Sequence, residues 1–304
     1  MFPVIRIRSS DAEAVEYLGT KAKFWYREGE RQILFKAEER GTGEDWAEKI
    51  ACELCAMLGL PHAHYEMAYD LDLQRPGVVC ESFTPPPLSL AHGNQLLLAL
   101  DPGYPAGSEN RYRSRAHTVD AVFEIIDLLG LPDQSWCSRL PPRIQTATGI
   151  FAGYLLLDAW IANQDRHHEN WGAIWDGERL ALAPSFDHGA ALARNLSDEE
   201  RHERMTSRDE RRRIPHFAGR ARSALFATAT AVRPLSTLAA WRAFATRMPS
   251  AASVWLDRLA AVEPFAVEAV LDQIPPDRMS AVCRRFTIDL LAENRRRLLD
   301  TENT

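Results

Sequence analysis

The run Phe151 to Ile161 (FAGYLLLDAWI) is apolar except for Asp158, and it stops abruptly in the polar stretch Asn163 to Asn170 (NQDRHHEN). A helix that is apolar on nearly every side belongs inside a core, so the chain must build other elements around it. With 304 residues it is long enough to do so, and the length suggests two domains or lobes. After the polar stretch, Trp171, Ala173 and Trp175 alternate up to Asp176-Gly177, and Leu180 and Leu182 alternate beyond it. This pattern predicts a hairpin that carries the chain on to Asp187. A buried helix that feeds a charged loop and then a hairpin is a scaffold for delivering a site.

The residues delivered point to phosphoryl transfer. Asp165 and Asn170 are five residues apart, the interval between base and metal ligand in a protein-kinase catalytic loop, and Asp187 follows after the hairpin. Phosphoryl transfer spreads charge over three oxygens, so catalysis there is mainly positioning and electrostatic stabilisation. Asn170 offers an amide oxygen and Asp187 a carboxylate, hard donors suited to Mg²⁺, which leaves Asp165 to face an incoming hydroxyl. In isolation such residues are those of any solvated turn, and the scaffold is what separates these from that background. His167 and His168 are adjacent and so diverge on any regular element. They are read as non-ligands, with His167 supplying an orienting hydrogen bond.

The N-terminal part supplies what such a site needs against a nucleotide. Gly19 and the lysines of residues 17–26 (YLGTKAKFWY) fall in a turn between strands, and Lys36 ends the apolar run Ile33 to Phe35. By itself a lysine there is an edge charge. The next element is a helix, with Trp46, Ile50, Leu54 and Leu58 on one face, Thr42-Gly43 at its start and Gly59 with Pro61 at its end. Glu48 and Glu53 are its acidic candidates. Glu48 is preferred as the partner of Lys36, in the lysine–glutamate pair that holds phosphates in kinases. Strands are expected over residues 64–69 and 76–83, and Pro85, Pro86 and Pro87 then carry the chain out of the sheet. Helical patterns dominate beyond that point. The expected fold is α+β and bilobal, protein-kinase-like. Residues 1–83 form a small β-rich lobe with one helix, and residues 84–304 a mainly helical lobe with a catalytic loop at 163–170 and a metal-binding segment at 184–189.

Composition narrows the function classes. A formal net charge of −6 does not suit a broad nucleic-acid surface, so no direct nucleic-acid partner is expected. No stretch approaches the roughly 18 apolar residues of a membrane span, and residues 1–17 lack the apolar region of a secretory signal. The five cysteines form no paired framework, and the expected compartment is the cytoplasm. Cys52 and Cys55, a C-x-x-C inside the expected helix, are read as core residues.

Taken together, Gly19 to Lys23, Leu34 to Lys36, Glu48, Glu81 to Phe83, Asp165-x-His167-x-x-Asn170 and Phe186-Asp187 resemble the kinase core of the HipA-like toxin family over residues 15–300. The resemblance implies a serine/threonine protein kinase that uses ATP and Mg²⁺. It makes Asp165 the base, Asn170 and Asp187 the metal ligands, and Lys36 the phosphate-binding lysine. Gly19, Thr20 and Lys23 would cover the phosphates, and Glu81 and Phe83 would lend backbone groups to the adenine. It further implies a protein substrate, with an aminoacyl-tRNA synthetase as the family's known type, and raises an antitoxin as partner. By the same resemblance the core is expected to begin near the start of the sequence, without the extra subdomain that helps longer members contact an antitoxin. It also has Glu16 where the family's self-inactivating serine would stand.

Two other readings stay open. A phosphoinositide-type lipid kinase shares the Asp165-Arg166-His167-x-x-Asn170 pattern, against which stand the acidic charge and the lack of a basic amphipathic helix. A non-catalytic nucleotide-binding scaffold would require a missing catalytic residue, and none is missing. Residues 194–216, dense in both charges, are expected to be mobile or only locally helical.

Overall fold

The computed structural model describes residues 1–15, 23–38, 41–107, 109, 112 and 114–300. The N-terminal part holds strands β1 (Ile5–Ile7), β2 (Ala14–Val15), β3 (Lys23–Glu28), β4 (Arg31–Ala37), β5 (Tyr65–Asp70) and β6 (Arg75–Glu81), with helix α1 (Glu44–Leu58) between β4 and β5. They form a six-stranded sheet in the order β1-β5-β6-β4-β3-β2, antiparallel except for the β1–β5 pair. Residues opposite one another across paired strands share a face. The register sets Lys23 opposite Lys36, Lys36 opposite Val78 and Val78 opposite Met67. The other face carries Phe24, Ile33, Phe35, Ala68 and Val79, which pack into a small cluster of their own.

Helix α1 covers the lysine face. Trp46, Ile50, Leu54 and Leu58 are at most 2% exposed and join Tyr65, Met67, Val78 and Cys80 in the main core. Its start is the left-handed Gly43 (φ 85°), where a Cβ would fall 1.8 Å from the Trp46 indole nitrogen. Its first free amide, that of Glu44, is satisfied from outside the helix by the Glu38 carboxylate, which also accepts from the Thr42 N–H just ahead of it.

The chain leaves the sheet at Ser82 and, beyond the prolines, forms β7 (Ser89–His92) and helices α2 (Gly93–Leu100) and α3 (Val119–Asp127). Then comes α4 (Ala147–Trp160), the apolar run, in which every residue is buried. Its aromatic edges reach polar partners. Trp160 donates to the Leu291 carbonyl (3.2 Å), and Trp255 of a packed helix donates to the Gly149 carbonyl (2.7 Å). The expected hairpin is β8 (Gly172–Trp175) and β9 (Leu180–Leu182), and β7 pairs with β8 to complete a second sheet of three strands. Helices α5 (Asp198–Thr206), α6 (Ile214–Ala218), α7 (Thr237–Ala245), α8 (Pro249–Ala261), α9 (Pro264–Asp272) and α10 (Ala281–Leu299) follow. No described helix is long and apolar enough to cross a membrane.

Residues 194–216 take the locally helical form of the expectation, and they are docked on the helical part. They hold α5, a 3₁₀ turn at Glu210–Arg212 and the start of α6. Ser197 and Glu200 cap α5 reciprocally. Met205, Ile214 and Phe217 anchor the region on Phe286 and Leu290 of α10. The charges cover the outside, and a few apolar residues suffice to dock it.

Candidate active site

Lys36 sits on β4 with its ammonium turned beneath α1. Its Nζ donates to Glu48 Oε1 (3.1 Å), Asp187 Oδ1 (3.0 Å) and the Tyr65 hydroxyl (3.2 Å). The expected Lys36–Glu48 pair is therefore formed, and it is buried, with the lysine side chain 12% and the glutamate 4% exposed. Burial pulls the lysine pKa down, but Asp187 and Glu48 more than offset it and hold the group well above its usual range. Burial also pushes the Glu48 carboxyl up, against Lys36 and the His188 amide. Because its two oxygens accept from Lys36 and from the His188 N–H (2.8 Å), these bonds select the carboxylate.

Asp187 takes a left-handed backbone, φ 61°, which an aspartate tolerates better than most side chains. Its amide donates to the Tyr65 hydroxyl at 3.4 Å. The residue after next, Gly189, would place a Cβ 3.4 Å from Glu48 Cγ, so the chain passes close beneath α1 here.

The loop leaving α4 is organised by a buried arginine. Arg166 Nε and Nη2 each donate to an Asp158 oxygen (both 2.8 Å), Nη1 to the Asn170 carbonyl (2.9 Å), and Nη2 also to Ser185 Oγ (3.0 Å) and His188 Nε2 (3.3 Å). One guanidinium thus ties α4, the Asp165–Asn170 loop and the Asp187 segment together. An arginine can only donate, so His188 Nε2 is an acceptor and the ring is neutral. Burial and then Arg166 push its pKa well below the usual range, in agreement.

Asp165 is partly exposed, its side chain 21% accessible. Its amide donates to Asn163 Oδ1 (3.1 Å), while Asn170 Nδ2 donates to its carbonyl (2.8 Å) and carboxylate (3.3 Å). With the Asn170 nitrogen used in this way, the amide oxygen is the atom of that side chain left to face a ligand. His167 Nε2 lies 3.6 Å from Asp165 Oδ1, an electrostatic contact longer than a hydrogen bond. His168 is buried against the Tyr104 hydroxyl (2.8 Å).

Of the expected nucleotide-side residues, Lys23 opens β3 and projects from the same face as Lys36. Glu81 ends β6, exposed, and the Ser82 amide donates to the Gln32 carbonyl (2.8 Å). The Phe83 ring lies 5.5 Å from that of Phe186, next to Asp187. Gly19 and Thr20 lie outside the described residues. Sequence reasoning did not assign Tyr65, Asp158, Ser185 or His188. The lone acid of the apolar helix, Asp158, was the available signal, because a buried carboxylate requires a partner.

No family model matches the chain, and no curated protein matches it. Among solved structures it is similar to the Helicobacter pylori proinflammatory kinase CtkA, with a TM-score of 0.70 and 17% identity over 98% of this chain and 96% of that one. At this identity the likeness is one of fold. It is also similar to HipA of Shewanella oneidensis MR-1, a toxin–antitoxin protein solved with HipB and its operator DNA, with a TM-score of 0.57 and 13% identity over 94% of this chain and 66% of that one. The shared fold accounts for the α+β architecture, and the chemistry has to be argued from the site.

Proposed function

We propose that the protein is an ATP- and Mg²⁺-dependent HipA-like kinase that transfers the γ-phosphoryl group to a serine or threonine hydroxyl of a protein. The observation that carries this reading is the convergence of Lys36, Glu48 and Asp187 within 3.0–3.1 Å contacts. The loop bearing Asp165 and Asn170 is bolted to the same segment by Arg166. A buried lysine shared by two carboxylates is a charge arrangement suited to a polyanion with a divalent cation, where Lys36 meets phosphate and Asp187 meets metal.

In this reading residues 1–83 and 84–304 are two lobes with the nucleotide between them. The donor set fits Mg²⁺, since Asn170 and Asp187 present an amide and a carboxylate oxygen. Bound Mg²⁺ and ATP supply the phosphoryl group and neutralise its charge. Glu48 positions Lys36, while Lys23, with Gly19 and Thr20 of the preceding loop, covers the phosphates. Glu81 and Phe83 border the adenine with backbone groups. Asp165 accepts the proton of the substrate hydroxyl, and Asn170 and His167 fix its orientation. The substrate class proposed is a cytoplasmic protein such as an aminoacyl-tRNA synthetase, and an antitoxin is the candidate regulatory partner. Direct nucleic-acid contact is not part of the proposal.

The test is incubation of the purified protein with labelled ATP, Mg²⁺ and a cell lysate, beside an Asp165→Asn control. A labelled protein band absent from the control supports the reading. Label confined to the lipid fraction, or no label dependent on Asp165, overturns it.

A further inference from the structure

One turn beyond Glu48 on α1 lies Cys52, whose sulfur faces the chain that returns from the helix towards β5. There Cys52, His62 and His64 bring one ligand atom each within 4.8 Å of one another. Cys52 is 4% and His62 7% exposed, and His64 stands at the solvent side. The His62 Nδ1 donates to the Leu60 carbonyl at 2.7 Å, which fixes the tautomer and leaves Nε2 a bare lone pair. That nitrogen is buried and has no hydrogen-bond partner. A polar atom left so in a packed interior calls for a ligand. An imidazole held by one nitrogen on a backbone carbonyl, with the other nitrogen aimed outward, is how proteins set up a metal-binding histidine. The Tyr65 amide points at Cys52 Sγ (3.5 Å), as amides do towards metal-bound sulfur, and the His64 ring stacks on Trp136, 6.1 Å between centroids.

We propose that Cys52, His62 and His64 form a binding site for a divalent transition metal of the zinc class, with the solvent side open to water as fourth ligand. One sulfur and two imidazole nitrogens are the donors such an ion selects over Mg²⁺. Metal–ligand lengths of about 2.3 Å to sulfur and about 2.0 Å to nitrogen set the ligand atoms roughly 3.3–3.8 Å apart. Rotation of the exposed His64 side chain closes that gap. On binding, the Cys52 thiol releases its proton to solvent as the metal–sulfur bond forms, and both histidines bind neutral. The metal thus displaces a proton from sulfur and none from His62, whose Nε2 already presents a lone pair because Nδ1 holds the proton on the Leu60 carbonyl. The bound ion would staple α1 to residues 61–65, which pair with Ser185 ahead of Asp187 through the Ala63 amide to the Ser185 carbonyl (2.9 Å).

The experiment titrates the full chain, stripped with chelator, first with Co²⁺ and then with Zn²⁺ against a chromophoric chelator. The expected result is one equivalent per chain, with tetrahedral Co²⁺ bands and a sulfur-to-cobalt charge-transfer band. Zn²⁺ affinity should fall at least about tenfold in His64→Ala and in Cys52→Ser. The charge-transfer band should vanish in Cys52→Ser. His64→Ala changes an exposed position, and its circular dichroism reports that the fold is intact. Wild-type affinity no higher than that of His64→Ala, or a charge-transfer band that survives Cys52→Ser, overturns the proposal.

Discussion

Replacing Arg166 by Met should destabilise the protein by about 3–5 kcal/mol, the cost of breaking a buried ion pair from one side. The guanidinium side chain is 1% exposed and Asp158 4%. In the variant, Asp158 keeps only the Asn163 Nδ2 donor (2.8 Å) for a full negative charge, while Ser185, His188 and the Asn170 carbonyl each lose a donor. Against a total stability of about 5–15 kcal/mol this is a large fraction. At about 2–4 °C per kcal/mol, the melting temperature should fall by about 6–20 °C. Urea unfolding followed by tryptophan fluorescence measures the loss. The double variant Asp158→Asn/Arg166→Met leaves no carboxylate without a counter-charge, so it should be more stable than the sum of the two single changes predicts. A loss below about 1 kcal/mol for Arg166→Met, or strict additivity in the double variant, would refute the account of Arg166 as the buried clip between loop and segment.

Asp187→Asn should abolish Mg²⁺-dependent binding of a non-hydrolysable ATP analogue, whereas Asp165→Asn should bind it and lose transfer; calorimetry beside a labelled-phosphate assay separates the two. Burial depresses His117 to about 3, with its Nδ1 on the Ala224 carbonyl (3.0 Å) and its Nε2 accepting from Trp171 (3.1 Å). A depressed histidine contributes stability above its unfolded pKa of about 6.5 and loses it as pH falls towards the folded value. Wild type should therefore lose about 2–3 kcal/mol more than His117→Asn between pH 7 and pH 4.5, read from urea unfolding at each pH. Gly172→Ala would put a Cβ 2.3 Å from the Ala91 carbonyl oxygen, and should cost about 1–3 kcal/mol and speed amide exchange across β7 and β8.

Much of this was legible because it is local. The four-residue spacing from Trp46 to Leu58 and the flanking Gly43 and Gly59 read directly as α1, and the alternation around Asp176-Gly177 read as β8 and β9. Lys36 and Glu48 could be matched because a strand and the helix after it must pack. What escaped depends on contacts between distant residues. The parallel pairing of β1 with β5 joins residues more than sixty positions apart. Tyr65 reaches Lys36 only because β5 and β4 flank β6 with the same faces aligned. Arg166 stood out as one letter of a pattern, whereas its role depends on Asp158, Ser185 and His188 folding around it. In residues 194–216 the many charges masked the few apolar anchors, a case where count misleads and position decides. Cys52 was weighed only against Cys55, its neighbour in sequence, while the fold brings it to His62 and His64.

Helix α1 is fastened along its length. Arg194, shortly after Asp187, binds Glu44 and Thr42 at its first turn, and Arg278 binds Asp45 and the Ala68 carbonyl (3.0 Å). Lys49, 3% exposed at its side chain, bridges Glu53 and Glu66 (2.7 and 2.9 Å), and Glu48 is held by the His188 amide. Swinging the helix outward, the way many regulated kinases are switched off, would strip several buried charges of their partners at once. At about 1.4 kcal/mol per factor of ten, even one such loss leaves the outward state below about 1% of molecules. On the proposed kinase reading, an off-state of this kind is therefore disfavoured, and control of transfer is expected to act on what is admitted to the site.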